Sequence, residues 1–592
     1  MTEEELSKVF AVSSDDDGAT TEWTIREIAD GLVDVDVFIR WEQPARPGTC
    51  RIRWSVPIVG IHAKWHPTTN LDKGLLPDYA RGVLASATTS APITSLFDVA
   101  GTNRMTFALS DVLNPVVMHS GVNENSARMT CGFDLFTEPS APIDEYNCTI
   151  RIDTRVAPYY LCLRDASDWW ERAAPPASVP AAARKPAYST WYSFHQGLSA
   201  PSIEAQAALA ADHGFGSIIV DDGWQTDDDS TGYDSCGDWF VSSAKFPDMP
   251  AHVKAVKALG LDYLLWFSVP HVGEGSRTFA KLSSKMLGYW PSGKTWVLDP
   301  RFPDVREHLI QTYEHAVRDW GIDGLKLDFV DSFRFPGLEN TNHGLGDGRD
   351  LDSVPVAVDR LLSDAIARLR ALKPDILIEF RQSYVGPLMR TYGNILRAAD
   401  CPNDPIRNRV SIFDIRLISG ATAVHSDMLM WNVDETPENI ALQFINTLFA
   451  TPQVSVRLET LDARRAAVVD HWLRFGQEHR DLLTSRPLRL LSPESHYTVA
   501  YADGNEEQLA VYYTGAVVTL DPAFCRSAVV VNGSGVAGAI VSIGQGHVSG
   551  RYEIRDCAGE LQDFGELEER CELAQFAVPV SGYLRLQFAD LT

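Results

Sequence analysis

The sequence predicts an α/β architecture: a (β/α)8 TIM barrel flanked by an N-terminal β-sandwich and a small C-terminal antiparallel β-domain. Three observations carry this reading. Residues 1–170 and 490–592 hold runs that alternate apolar and polar residues with period two, the mark of half-buried strands. Between them, over 187–485, short apolar runs alternate with longer amphipathic segments. There are eight such runs, enough to close a barrel of strand–helix units rather than an open doubly wound sheet.

In order, "LVDVDVFIRW" (32–41), "CRIRWSV" (50–56) and "CTIRIDTRV" (148–156) are the clearest strands of the first region. The Pro/Ala-rich "APPASVPAAARKP" (174–186) is expected to be a connector. The barrel strands are then "AYSTWYSF" (187–194), "GSIIVDDGW" (216–224), "DYLLWFSV" (262–269), "GLKLDFV" (324–330), "ILIEF" (376–380), "NILRAAD" (394–400), "TAVHSDM" (422–428) and "PQVSVRL" (452–458). Stretches such as "SIEAQAALAADHG" and "VREHLIQTYEHAVRDWG" supply the helices between them. The C-terminal strands are "EQLAVYY" (507–513), "SAVVVN" (527–532), "GRYEIRD" (550–556) and "GYLRLQF" (582–588).

Composition narrows the function. The 592 residues are 45% hydrophobic and 22% charged, an ordinary globular balance with no run long enough to span a bilayer. Asp and Glu number 79 against 52 Lys and Arg, a net charge of −27 that is repelled by phosphate backbones and anionic membranes. Neither a nucleic-acid nor a membrane role is expected. The nine cysteines are scattered and form no CxxC pair, and the acidic N-terminus has no apolar signal core. A reducing, cytoplasmic location is the expectation.

In a barrel of this kind the site lies at the C-terminal ends of the strands. Those ends carry Trp191 on strand one; Asp221, Asp222 and Trp224 on two; Trp266 on three; Lys326 and Asp328 on four; Glu379 and Arg381 on five; Arg397 and Asp400 on six; and His425 and Asp427 on seven. A lone charge there would be a surface group or a salt bridge, but recurrence at one end of most strands is not expected by chance. Lys326 and Asp328 are two apart in a strand, so their side chains share a face. A charged pair inside a barrel is costly unless it is matched or used. Two carboxylates about 5–5.5 Å apart over a barrel mouth can serve as nucleophile and acid/base of a retaining glycosidase. Asp328 and Asp400 are the expected pair, with Asp404 in "ADCPNDP" the rival for the acid/base role. In "DDGW", adjacent carboxylates could accept hydrogen bonds from sugar hydroxyls while an indole packs on the sugar's CH face.

The barrel region, over roughly 190–458, resembles the retaining α-galactosidases of glycoside hydrolase family 36 and relatives in the same clan, raffinose synthases included. The matching pieces are "VDDGWQ", "GDWFVSSAKFPDMPAHVKAVKALGLDYLLWFS", "WVLDPRFPDVREHLIQTYEHAVRDWGIDGLKLDF", "RAADCPNDP" and "LFATPQVSV". The resemblance implies Asp328 as nucleophile, Asp400 as acid/base, Asp221 and Asp222 as contacts to the 4- and 6-hydroxyls of galactose, Lys326 on the ring hydroxyls and Trp191 lining the pocket. Trp224, Trp266, Glu379, Arg381 and Arg397 complete the expected substrate-binding set. The chain departs from the family pattern after strand three, with "FSVPHVG", and after strand five, with "IEFRQSYVGP". A transglycosidase, a clan member acting on another sugar such as α-N-acetylgalactosamine, and a non-catalytic sugar-binding homologue stay open. So does a homo-oligomer.

No cofactor is expected. "GSGVAG" (533–538) matches G-x-G-x-x-G, but strand and turn follow where a dinucleotide site needs a helix. No zinc-type cluster or P-loop is present, and a retaining glycosidase needs no metal.

Overall fold

The structure is a computed structural model, and it describes residues 3–230, 232–334, 348–521, 525–543, 549–567 and 573–589. Cys571 lies outside the described residues; the eight described cysteines are unpaired and buried.

The first region holds two antiparallel sheets. One has five strands, with Cys50–Pro57, Arg128–Leu135 and Val116–Asn123 at its centre. The other has six, with Leu32–Ala45 paired to Ile143–Asp153. Val35, Val37 and Ile39 from the second sheet meet Ile52, Trp54 and Phe133 from the first in a shared core. The alternation in "LVDVDVFIRW" thus places one side of the strand in that core. Residues Tyr159–Glu171, within the span expected to be sandwich, form a helix laid on the six-stranded sheet, its Trp170 indole donating to the Leu109 carbonyl at 2.9 Å. Cys162, Leu163, Ala166 and Trp170 recur at helical spacing there, a short signal that strand periodicity upstream obscures.

The middle region is a closed barrel of eight parallel strands. They are Ala187–Ser189, Ser217–Val220, Asp262–Ser268, Gly324–Asp328, Leu377–Arg381, Ile395–Arg397, Ala423–Leu429 and Thr451–Val454. All eight expected runs overlap their strand; those at 376–380, 422–428 and 452–458 miss one residue at an end, and several overshoot, the first by five residues. Strand one stops at Ser189, because Thr190 turns the chain into a short helix, Trp191–Phe194. Strand four stops at Asp328, because Phe329 adopts a left-handed conformation with φ of 62°. The longest insertion follows strand three. His271–Gly273, Met286–Trp290 and Thr295–Leu298 form a separate antiparallel sheet beside the barrel mouth.

The last region pairs a seven-stranded sheet with a three-stranded one around Val518, Val530, Val541 and Leu584. Most neighbours are antiparallel, but Glu507–Tyr512 runs parallel to Ser527–Asn532. The chain visits the small sheet at Val517–Leu520 before returning, so it re-enters the first sheet in the same direction.

Candidate active site

Asp328 ends barrel strand four with 7% of its surface exposed. Its Oδ1 accepts hydrogen bonds from the Phe329 amide (2.7 Å), Arg381 Nε (2.6 Å) and the Tyr384 hydroxyl (2.5 Å). Its Oδ2 accepts from Trp266 Nε1 at 3.1 Å. Burial alone would raise this carboxyl, but the charges of Arg381 and Lys326 and the Tyr384 hydrogen bond hold it far below the usual carboxylate range. The left-handed turn at Phe329 aims the amide back at Oδ1, a use of strain typical of functional sites.

Lys326 faces inward as expected, with Leu325 and Leu327 in the outer core. Its ammonium, however, bonds directly to Asp221 Oδ2 at 2.6 Å. Asp328's direct ion-pair partner is Arg381, the last residue of strand five. Asp222 is 1% exposed and accepts from Gln196 Nε2 (2.8 Å) and Gln225 Nε2 (2.6 Å). Burial raises its carboxyl to about 6. Gly223 between Asp222 and Trp224 has φ of 116°, and a Cβ there would lie 2.5 Å from the Gln196 backbone. The Asp-Asp-Gly turn therefore requires glycine, and its close approach brings Gln196 onto Asp222.

Asp400 stands on the rim beyond strand six with 48% of its side chain exposed, bonded to Arg397 Nη2 at 2.8 Å. Burial of the remainder raises it, but Arg397, Arg381 and Lys326 outweigh that and leave it below the usual range. Arg381 is close enough for its charge to act on both Asp328 and Asp400. Arg397 is sealed, with its other terminal nitrogen on Asp427 and its Nε 3.6 Å from Glu379.

Two expected sugar contacts lie elsewhere. Trp224 is fully buried, its indole donating to the Trp266 carbonyl and covered by Trp239, Phe267 and Trp320. It is part of the packing layer, because the turn at Gly223 carries it away from the mouth, and no sugar can stack on it. Glu379 is 0% exposed and bonds to Gln453 at 2.5 Å, so it belongs to the barrel floor; its inward register beside Lys326 is the signal that misled. Trp266 is also buried, at 1%, and reaches the site through Asp328 rather than by offering a face. Trp191 sits half-buried on the rim, edge-on to His195 with ring centres 4.7 Å apart. His425 donates through Nε2 to the Ala183 carbonyl, and burial lowers it to about 4. Among the described residues no cluster of three or more His, Cys, Asp or Glu could hold a metal ion.

Sequence reasoning missed Tyr384, Gln196 and Tyr192. Tyr384 lies three residues past Arg381 in a loop, where no periodicity marks it. Tyr192 follows Trp191 and donates to Asp427 at 3.0 Å.

The site is thus an eight-stranded parallel barrel with carboxylates gathered at its strand ends. Residues 184–344 match the family model described as Melibiase. A 149-residue stretch is 29% identical to α-galactosidase AgaA of Geobacillus stearothermophilus, spanning 24% of this chain and only 20% of that protein. The crystal structure of GH36 α-galactosidase AgaA from the same organism with 1-deoxygalactonojirimycin superposes with a TM-score of 0.64 at 14% identity, over 99% of this chain and 85% of that one. The α-galactosidase from Lactobacillus brevis gives 0.63 at 14% identity, over 99% and 84%. The chain has the fold of GH36 α-galactosidases from end to end.

Proposed function

We propose that the protein is a retaining α-galactosidase that releases terminal α-galactosyl residues by double displacement. The observation that carries this reading is Asp328: a buried carboxylate held ionised at the end of strand four, with Asp400 on the adjoining rim. Oδ1 of Asp328 already accepts three hydrogen bonds, whereas Oδ2 accepts one, from Trp266. Oδ2 therefore keeps a lone pair for attack on the anomeric carbon. Asp400 protonates the departing glycosidic oxygen, and a β-linked glycosyl-enzyme forms. Asp400 then takes a proton from water, whose oxygen displaces Asp328 and restores the α configuration. Asp221 and Asp222, fixed by Lys326 and Gln196, are suited to hold the sugar's 4- and 6-hydroxyls.

Structural neighbours that are GH36 α-galactosidases have been crystallised with raffinose and stachyose, which supports a galactosylated carbohydrate substrate here. Among the described residues no helix is long and apolar enough to cross a membrane. The eight free, buried cysteines support a reducing, cytoplasmic setting. A panel of aryl α-glycosides tests the reading. The α-galactoside should be turned over fastest, and the α-glucoside should be poor, because a missing axial hydroxyl deprives a buried carboxylate of a hydrogen bond from the sugar, a rejection of up to about 10⁴-fold. Faster turnover of an α-glucoside or α-N-acetylgalactosaminide would overturn the sugar while sparing the mechanism.

A further inference from the structure

The chemistry above gives no task to Asp427 on barrel strand seven, yet its carboxylate is among the most heavily bonded of the site. It is 0% exposed. Oδ1 accepts from Arg397 Nη1, and Oδ2 from the Cys401 amide (2.7 Å) and the Tyr192 hydroxyl (3.0 Å). Its own amide and carbonyl are clamped by the Asn408 side chain at 3.0 and 3.1 Å. The second terminal nitrogen of Arg397 reaches Asp400. One guanidinium is thus forked between a sealed carboxylate and a rim carboxylate, and Cys401, the residue after Asp400, is tied to the same sealed group.

We propose that Asp427 is a positioning residue that divides the charge of Arg397 and so keeps Asp400 able to take up the proton it must deliver; this rests on Asp400 being the acid/base. An undivided arginine beside a carboxylate lowers its pKa by about 1–3 units, which would strip an acid catalyst of its proton near neutrality. A second carboxylate on the same guanidinium neutralises part of that pull, and its own charge repels the charge on Asp400. The charged and titratable groups around Asp400 are Arg397 at the end of strand six, Arg381 at the end of strand five, Lys326 from strand four, Tyr192 from the helix after strand one and Asp427 from strand seven. Of these, Asp427 is the other carboxylate: burial and the charge on Asp400 push its own carboxyl up, and Arg397 pulls it down. Around Asp427 stand Arg397, Tyr192 from the helix after strand one, and Cys401. A sugar seated over Asp400 would remove the water that stabilises its charge, moving it further toward the acid form.

The test is the pH dependence of kcat/KM for an α-galactoside with a sugar leaving group, with circular dichroism as a check on folding. Asp427→Asn removes the repulsion and leaves Arg397 to Asp400, so the alkaline limb should move down by about one pH unit. Above that limb the loss is then about tenfold, and smaller for an aryl galactoside whose leaving group needs little protonation. Asp427→Glu should restore the limb in part. If the Asn variant fails to fold, Tyr192→Phe serves: losing one donor weakens the ionised Asp427 and should move the limb the same way by less. A uniform loss at every pH, or an upward shift, overturns the proposal. Asp400→Ala separates the two ideas. If it spares aryl substrates as an acid/base variant should and the Asp427 limb still does not move, only this proposal falls; if it shows no leaving-group dependence, the acid/base reading falls and takes the proposal with it.

Discussion

At the scale of single residues, one oxygen of Asp328 accepts three hydrogen bonds and the other accepts one. Tyr384 is the neutral side chain of the set on Oδ1, and its removal is the cleanest probe. Tyr384→Phe should cost about 1.5–3 kcal/mol, the range for a hydrogen bond to a charged group, or between about ten- and a hundredfold in kcat/KM. Losing a donor to the carboxylate raises its pKa, so the acid limb of the pH profile should also move up while the alkaline limb stays. An unchanged acid limb would mean that Tyr384 packs without tuning Asp328. Much of this was legible in the sequence. Lys326 and Asp328 are two apart and do face inward, and the carboxylates of "VDDGWQ" do lie at a strand end. The pairing was not. Register places Lys326 opposite Trp266, yet its long stem carries the ammonium to Asp221, while Arg381 meets Asp328 because it ends the neighbouring strand two residues beyond Glu379, the register partner of Lys326.

At the scale of elements, the start of a helix favours Asp400 over Asp404 for the proposed acid/base role. Asp404 caps the helix Pro405–Arg416, its side chain accepting from the Arg407 amide at 2.9 Å, with proline at the first helical position. Its chemistry is spent on the helix. Asp404→Ala should therefore lower stability by about 1 kcal/mol in denaturant unfolding and leave the dependence on leaving group unchanged. Asp400→Ala should do the reverse, slowing sugar leaving groups far more than activated aryl ones. The cap was readable from Asp followed by proline, but so was a catalytic reading of the same motif. The sheet inserted after strand three was not legible. Its strands are short, and its pairing Met286–Trp290 with Thr295–Leu298 depends on contacts that period-two counting over three to five residues does not resolve.

At the scale of the whole molecule, three regions meet on one carboxylate. Asp414, in the barrel helix that Asp404 caps, accepts from Trp65 Nε1 (2.7 Å) and Lys73 Nζ (3.1 Å) of the first region and from the Tyr497 hydroxyl (2.5 Å) of the last. The Lys73–Asp414 pair is sealed, at 0% and 1% side-chain exposure. Asp414→Ala leaves a buried ammonium unpaired and should cost about 3–5 kcal/mol, measured by denaturant unfolding. A loss under about 1 kcal/mol would mean that water reaches Lys73 and that the tie carries little. No local pattern announces such a contact, since its partners are as much as 349 residues apart. The composition of the three regions was readable because each satisfies its own periodicity; their docking was not, because it rests on single polar side chains far apart in the chain.

The claim on which the rest depends is that Asp328 is the nucleophile of a retaining reaction. Asp328→Gly, assayed on an aryl α-galactoside with and without azide, tests it most directly. The variant should fold, show no turnover in buffer, and recover part of its activity with azide, yielding the β-galactosyl azide because a single displacement now inverts the anomeric centre. Near-normal turnover without azide, or an azide product of α configuration, would contradict the assignment of Asp328.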